Sequence, residues 1–260
     1  MTDLASPVVA PAKTDAVLGK ARKLLAKAED PAATAAEAET YTAKAAALIA
    51  AYGIDRALLA AADPGSDLVG DRVVVLDSPY ARDKAHLLAG VARQLRCQAV
   101  LRTDHTVAGK ELSLHLFGHE SDLRRAELLF TSLLLQSANA LARTPVPGHE
   151  QPGAFRRSWL HGFTSAVITR LAAAESAAHD VAERRATAAG GAGRSVALVL
   201  ADRSAVVAEA MRMHYPRLAM GRRRSLSGSG ARQGWNAGQR ADLGGTPVGQ
   251  RSRRAVTAER

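Results

Sequence analysis

The fold of the N-terminal part is decided by one stretch, KARKLLAKAEDPAATAAEAETYTAKAAALIAAYGID, which runs from Lys20 to Asp55. Apolar residues recur at helical spacing on both sides of Pro31,. Thr34 and Glu37 have the spacing of a capping box, in which side chains satisfy the first backbone donors of a helix. We expect Gly53 to end the second helix, because a left-handed cap suits glycine. The stretch therefore predicts two antiparallel helices over 15–29 and 35–52, which bury their apolar stripes against each other.

The rest of the chain predicts a body in which long helices pack a small sheet. Alternating or β-branched runs predict strands at 72–76, 98–102, 111–117 and 195–200,. Segments with apolar residues three or four positions apart predict helices at 83–97, 121–143, 154–186 and 202–214,. Leucines alternate with Ser113, His115 and Phe117, which predicts that His115 lies on an exposed face of the sheet,.

These patterns predict an α+β fold that is mostly helical, with a helical hairpin, a larger domain with a small sheet packed by long helices, and a basic Gly/Arg-rich C-terminal tail. We expect a disordered lead at 1–13, the hairpin domain at 14–59 and a linker at 60–70. The α+β domain then covers 71–216, and a partly disordered tail covers 217–260.

The composition of the 260-residue chain is that of a globular protein, with 47% hydrophobic and 23% charged residues,. It excludes a collagen and a wholly disordered chain. A single cysteine, Cys97, excludes an intrachain disulfide, and its apolar neighbours predict a buried thiol,. No apolar stretch approaches the ~20 residues that span a bilayer, and Met1–Pro11 lacks the pattern of a secretory signal,. We therefore expect a cytoplasmic protein.

The positive charge is concentrated near the C-terminus. Residues 203–260 contain 12 basic and 3 acidic residues, which accounts for +9 of the formal net charge of +10. Such asymmetry predicts an electrostatic partner, with nucleic acid first and another polyanion as the alternative. Codon bias offers a second explanation, because every basic residue after Lys110 is an arginine.

The stretch Lys20–Asp55 resembles the N-terminal hairpin of a bacterial and phage family named domain of unknown function 2786. The resemblance rests on Glu29-Asp30-Pro31, on Glu37-Ala38-Glu39 and on the closing Tyr52-Gly53-Ile54. Three later segments resemble the larger domain that follows this hairpin in relatives: LFGHESDLRRAELLFTSLL (116–134), FRRSWLHGF (155–163) and GWNAGQRADLG (234–244). The resemblance implies an architecture and no catalytic residues.

The motifs of common enzyme classes are absent from the sequence. Neither Gly-Lys pair has the spacing of a Walker A loop, and no Gly-x-Ser-x-Gly elbow occurs,. The glycines 228, 230 and 234 only approximate a dinucleotide loop, because the last spacing is one residue too long,. We expect no cofactor, and no metal, since His119-Glu120 lacks the second histidine of a metalloprotease helix,.

The leading hypothesis is a non-enzymatic, nucleic-acid-associated binding module. Arginines beside one tryptophan suit phosphate contacts and base stacking, and a lysine stripe on the first helix adds further cations. The candidate residues are Arg222, Arg223, Arg224, Arg232, Trp235, Arg240, Lys20, Lys23 and Lys27. One alternative is a hydrolase-type enzyme that uses body histidines (His105, His115, His119 or His161) with a carboxylate. The other alternative is a protein-interaction module that acts through the hairpin.

Overall fold

A computed structural model describes residues 11–28, 35–106, 109–188, 195–219 and 225–241. It confirms the predicted fold class, a mostly helical protein with a small sheet. The elements, in chain order, are α1 (Pro11–Ala28), α2 (Ala35–Ala62), a 3₁₀ turn (Pro64–Ser66), β1 (Val69–Val75), α3 (Ala81–Gln94), β2 (Gln98–Thr106), β3 (Gly109–His119), α4 (Glu120–Ala142), α5 (Pro152–Ala188), α6 (Val196–His214) and α7 (Ala231–Arg240).

The sheet is antiparallel with the order β1-β3-β2, so β3 is its central strand. His115 of β3 pairs with Val73 on one side and Val100 on the other. The prediction that His115 is exposed is wrong, because α6 covers this face and its Val207 packs against Phe117 and Val100. His115 is therefore only 3% exposed.

The predicted strand at 195–200 is also wrong. Ser195 caps α6, and its hydroxyl accepts a hydrogen bond from the Leu198 backbone N–H at 3.2 Å. The apolar run that suggested a strand is the first turn and a half of a helix, with Val196 and Val199 buried. A short apolar run has no periodicity that separates the two structures.

The main core surrounds α5, whose Phe155, Trp159 and Phe163 are at most 1% exposed, as their four-residue spacing predicted. The hairpin contributes to the same core through Leu18, Ile49 and Tyr52. Burial of a large apolar side chain contributes roughly 1.5–3 kcal/mol, so packing rather than helix propensity holds α1 and α2 in place.

Gly53 does not end the second helix, because α2 continues to Ala62. The glycine faces α4, where the guanidinium of Arg125 occupies the space that a Cβ at this position would fill. The predicted cap is therefore wrong, and the small residue serves close packing instead.

Candidate nucleic-acid interface

The helix α7 lies directly against α5 because glycines remove side chains from the contact. A Cβ at Gly234 would overlap the carbonyl group of Trp159, and one at Gly238 would overlap that of Phe163. On α5, Gly162 makes the same kind of room for the backbone of Ala231. The glycines that approximated a dinucleotide loop are thus packing residues, and α7 is held in a fixed orientation.

The C-terminal end of α7 is satisfied by α5. Arg170 donates hydrogen bonds to the carbonyl oxygens of Gly238, at 2.9 Å, and of Ala241. Arg170 thus places a positive charge at the negative end of the helix dipole, where Arg240 of the last turn of α7 also lies,.

The face of α7 turned away from α5 carries the predicted binding residues of this helix. Arg232, Asn236 and Arg240 recur every four positions, and all three are exposed. Trp235 is 37% exposed, so this large aromatic side chain is only partly covered by the fold. The structure therefore places two predicted arginines and the predicted stacking residue on one short helix.

A cavity of about 480 Å³ lies between α7 and the end of α4. Arg143 and Arg240 line it, together with the amide side chains of Gln233 and Asn236. No acidic residue of the described chain contributes to its lining. Arginine and amide side chains offer donors to phosphate oxygens, so the cavity has the chemistry of an anion site. Arg143 was not predicted from the sequence, where its only signal is its position shortly before Pro145 and Pro147.

A second cavity, of about 440 Å³, lies on the other side of the end of α4. Its lining is mostly apolar and includes Leu141 and Leu160, with the phenol of Tyr80 and the cations Lys84 and Arg156. Within the described part of the chain, no carboxylate lines this cavity either. The two cavities together place cationic and apolar surfaces around one helix end.

The other predicted binding residues lie elsewhere. Lys20, Lys23 and Lys27 are exposed on α1, which packs against α2 and not around the α4–α7 cavity. The residues Arg222, Arg223 and Arg224 lie outside the described residues.

Six charged groups of the described residues form a buried network at the opposite end of α4, and nothing in the sequence predicted it. Asp122 and Arg125 of α4 form an ion pair at 2.7 Å, and Arg125 also pairs with Glu175 of α5. The remaining members are Asp67, Arg96 and Arg203. Three carboxylates and three guanidiniums balance one another, which buried charges require.

The ionisation of this network follows from its contacts. Burial raises the pKa of Asp67, but hydrogen bonds from Ser121 and Arg203 outweigh it and hold the pKa below 3.8,. Burial lowers the pKa of Arg125, yet Glu175 and Asp122 raise it above its usual range. Cys97 lies beside the network, and burial together with Asp122 raises the pKa of its thiol to about 12. As predicted, Cys97 is a buried free thiol.

The four candidate histidines do not converge on one cleft. His115 Nε2 lies 2.8 Å from Asp71 Oδ2, and its Nδ1 lies 2.7 Å from the hydroxyl of Tyr215. These two hydrogen bonds connect β3 to β1 and to the residue that follows α6. His115 therefore holds three elements together, which explains its burial without a catalytic role. His161 is exposed and stacks on His86, with ring centroids 5.3 Å apart, while His105 is exposed on β2.

His119 Nδ1 hydrogen-bonds to the carbonyl oxygen of Asp67 at 2.8 Å. Within the described ranges, no three His, Cys, Asp or Glu residues form a group that could hold a metal ion. The helices in those ranges also include none long and apolar enough to cross a membrane.

Comparison with known proteins bears on the hairpin. No curated protein and no solved structure matches the chain. Residues 16–56, which cover most of α1 and the first part of α2, match the model of a family described as a protein of unknown function (DUF2786). The hairpin thus has the sequence pattern of that family, as the Tyr52-Gly53-Ile54 motif at the end of the resemblance indicated. The family has no assigned activity.

Proposed function

We propose that this protein is a non-enzymatic module that binds single-stranded nucleic acid through α7 and the adjoining end of α4. The observation that carries the proposal is the cavity lined by Arg143, Arg240, Gln233 and Asn236, with no acidic side chain from the described residues. A phosphate there accepts hydrogen bonds from both arginines, and each neutralised phosphate releases counterions.

The surroundings of the cavity favour a single strand over a duplex. Trp235 is exposed beside the arginines and offers a ring on which an unpaired base stacks,. The apolar cavity with Tyr80 offers a second place for a base. Bases in a duplex are already stacked and cannot enter such sites without unpairing. Arg222, Arg223 and Arg224 precede α7 in the sequence and would add further contacts with phosphates.

The test is equilibrium binding of labelled DNA and RNA oligonucleotides, single- and double-stranded, across a salt series. Deletion of residues 217–260 is a poor test, because it removes α7 and uncovers Trp159 and Phe163 of α5. The variant Arg143→Ala/Arg240→Ala leaves the glycine contact intact. Its matched control, Arg93→Ala/Arg184→Ala, removes two exposed arginines of α3 and α5 that line neither cavity.

We expect the cavity variant to bind single strands more weakly, with a slope of log affinity against log salt smaller by about 1.4, at ~0.7 per phosphate contact. The control variant keeps most of the affinity. Substituting Trp235 by Ala weakens binding by roughly 1–3 kcal/mol, and Trp235→Phe restores most of it, because stacking needs only a ring. If wild-type protein binds no oligonucleotide at low salt, codon bias explains the arginines.

The two alternatives have less support. A hydrolase that used His115 would need the ring to meet a substrate, and it is 3% exposed beneath α6. His119 lines a cleft with Asp67 and Asp202, but its Nδ1 bonds to the backbone oxygen of Asp67, whose carboxylate already accepts from Ser121 and Arg203. An interaction module that used the hairpin would need an apolar surface there. Among the side chains of α1 and α2 that the structure describes, no large hydrophobic residue is exposed.

A further inference from the structure

A cleft of about 420 Å³ lies between the end of α2 and α6, above the start of β1. Alanine, valine, leucine and proline side chains form most of its wall, with Val199 and Val206 contributed by α6. The polar residues of the lining are His119, Arg203, Asp67 and Asp202. The cleft is near the first residue of α4, whereas the arginine cavity is at its last turn. A 23-residue helix spans about 34 Å, so the two sites are separate,.

Two polar groups of the cleft lining have hydrogen-bonding atoms without partners in the described part of the chain. Arg203 is 7% exposed, and its Nη2 donates to Asp67 Oδ2 at 2.7 Å. Its Nε and Nη1 are buried and have no partner among the described residues. The same holds for His119 Nε2 within that part of the chain. An unpartnered buried polar atom is costly, so both groups call for a polar neighbour.

The chemistry that these atoms require is specific. The carbonyl oxygen of Asp67 can only accept, so the Nδ1 of His119 carries the proton, and in the neutral ring Nε2 is an acceptor,. The free atoms of Arg203 are donors. Both residues hydrogen-bond to Asp67, one at its backbone oxygen and one at its carboxylate, and both line the cleft. A group that donates and accepts at once satisfies both.

We propose that this cleft binds a small uncharged molecule with an apolar body and a hydroxyl or primary amide at one end. The apolar body covers the side chains of Ala57, Val199 and Val206, and the polar end donates to His119 Nε2 and accepts from Arg203. An ion is disfavoured, because Arg203 belongs to a network in which three acids already balance three arginines, and Asp202 stands at the rim. One water, at about 30 Å³, satisfies the polar end and leaves the apolar volume unfilled.

The test uses cyclohexanecarboxamide as probe, with cyclohexanecarboxylate and cyclohexylammonium as charged counterparts, in NMR titrations of the full ¹⁵N-labelled chain. We expect the amide to bind with a dissociation constant of about 1 mM, roughly tenfold more tightly than either ion. The variant Val206→Trp fills the cleft and abolishes binding. Leu198→Trp is its control, because Leu198 is similarly exposed on the same helix and does not line the cleft.

His119→Asn tests the polar end, since an asparagine amide keeps the donor to Asp67 and lacks the Nε2 acceptor. In this variant we expect the preference for amide over carboxylate to fall to about twofold. Equal binding of the three probes by wild-type protein overturns the proposal, as does binding that Val206→Trp leaves unchanged. No shift with any probe also overturns it and shows that the cleft holds water only.

Discussion

The substitution Glu175→Gln probes the buried network most sharply. Arg125 is fully buried, and among the described residues its carboxylate partners are Glu175 and Asp122. Glutamine has the shape of glutamate without its charge, so the variant changes electrostatics and little else. It also removes the ion pair between Glu175 and Arg96, whose closest atoms are 3.2 Å apart. Breaking a buried pair costs about 3–5 kcal/mol, because the remaining charge is desolvated without compensation.

Thermal and urea unfolding followed by circular dichroism give the size of this effect. A chain of this length loses about 2–4 °C of melting temperature per kcal/mol, so Glu175→Gln should lower the midpoint by roughly 6–20 °C. The control is Glu209→Gln, which breaks the exposed pair between Glu209 and Arg212 at 2.8 Å. Exposed pairs contribute about 0–1 kcal/mol. If the two variants lose equal stability, Glu175 does not compensate a buried arginine and the reasoning is wrong.

Three further predictions concern other parts of the fold. Cys97 should resist iodoacetamide in the native protein at pH 8 and react fully in guanidinium chloride, as measured by mass, because its pKa is about 12 and it is buried,; fast native alkylation would contradict this burial. The pKa of Asp67 is lowered in the folded protein, so the contribution of its carboxylate to the free energy of unfolding is present above pH 3.8 and is lost as the pH falls below that value,. The urea midpoint of Asp67→Asn should therefore fall less between pH 7 and pH 3 than that of wild type, and parallel curves would count against the assignment. Gly234→Ala should cost about 1–3 kcal/mol and speed hydrogen exchange in α7, because the methyl group overlaps Trp159, whereas Gly148→Ala, which has open space, should leave both unchanged,.

The sequence predicted the elements whose signals are local. The four-residue spacing of Phe155, Trp159 and Phe163 placed the inner face of α5 correctly, and the apolar pattern around Pro31 placed two helices. Local signals gave wrong predictions where contacts between distant parts of the sequence determine the structure. Gly53 is a residue type typical of helix ends, but it lies within α2, and Arg125 of α4 fills the space beside it. His115 alternates with leucines like an exposed residue, and α6, about 100 residues later, covers it.

Only the part of the candidate site that lies within one helix was predicted, because the rest depends on tertiary contacts. Arg232, Trp235 and Arg240 were identified from charge and one aromatic ring, and they share a helix. Arg143 joins them only because glycines bring α7 against α5 and beside the end of α4, a contact between distant parts of the sequence. The buried network is likewise assembled from α4, α5, α6 and the loops before β1 and β2. Its charged residues cannot be told from surface residues without the fold.

Binding between α4 and α7 is tested most directly by the affinity of the full chain for a labelled single strand, compared between Arg143→Ala/Arg240→Ala and Arg93→Ala/Arg184→Ala across a salt series. Both variants lose the same charge, so general electrostatic attraction falls equally in each. If single strands bind between α4 and α7, only the first variant loses most of its affinity, and its slope of log affinity against log salt drops by about 1.4. Equal affinities and equal slopes for the two variants would contradict a binding site between α4 and α7.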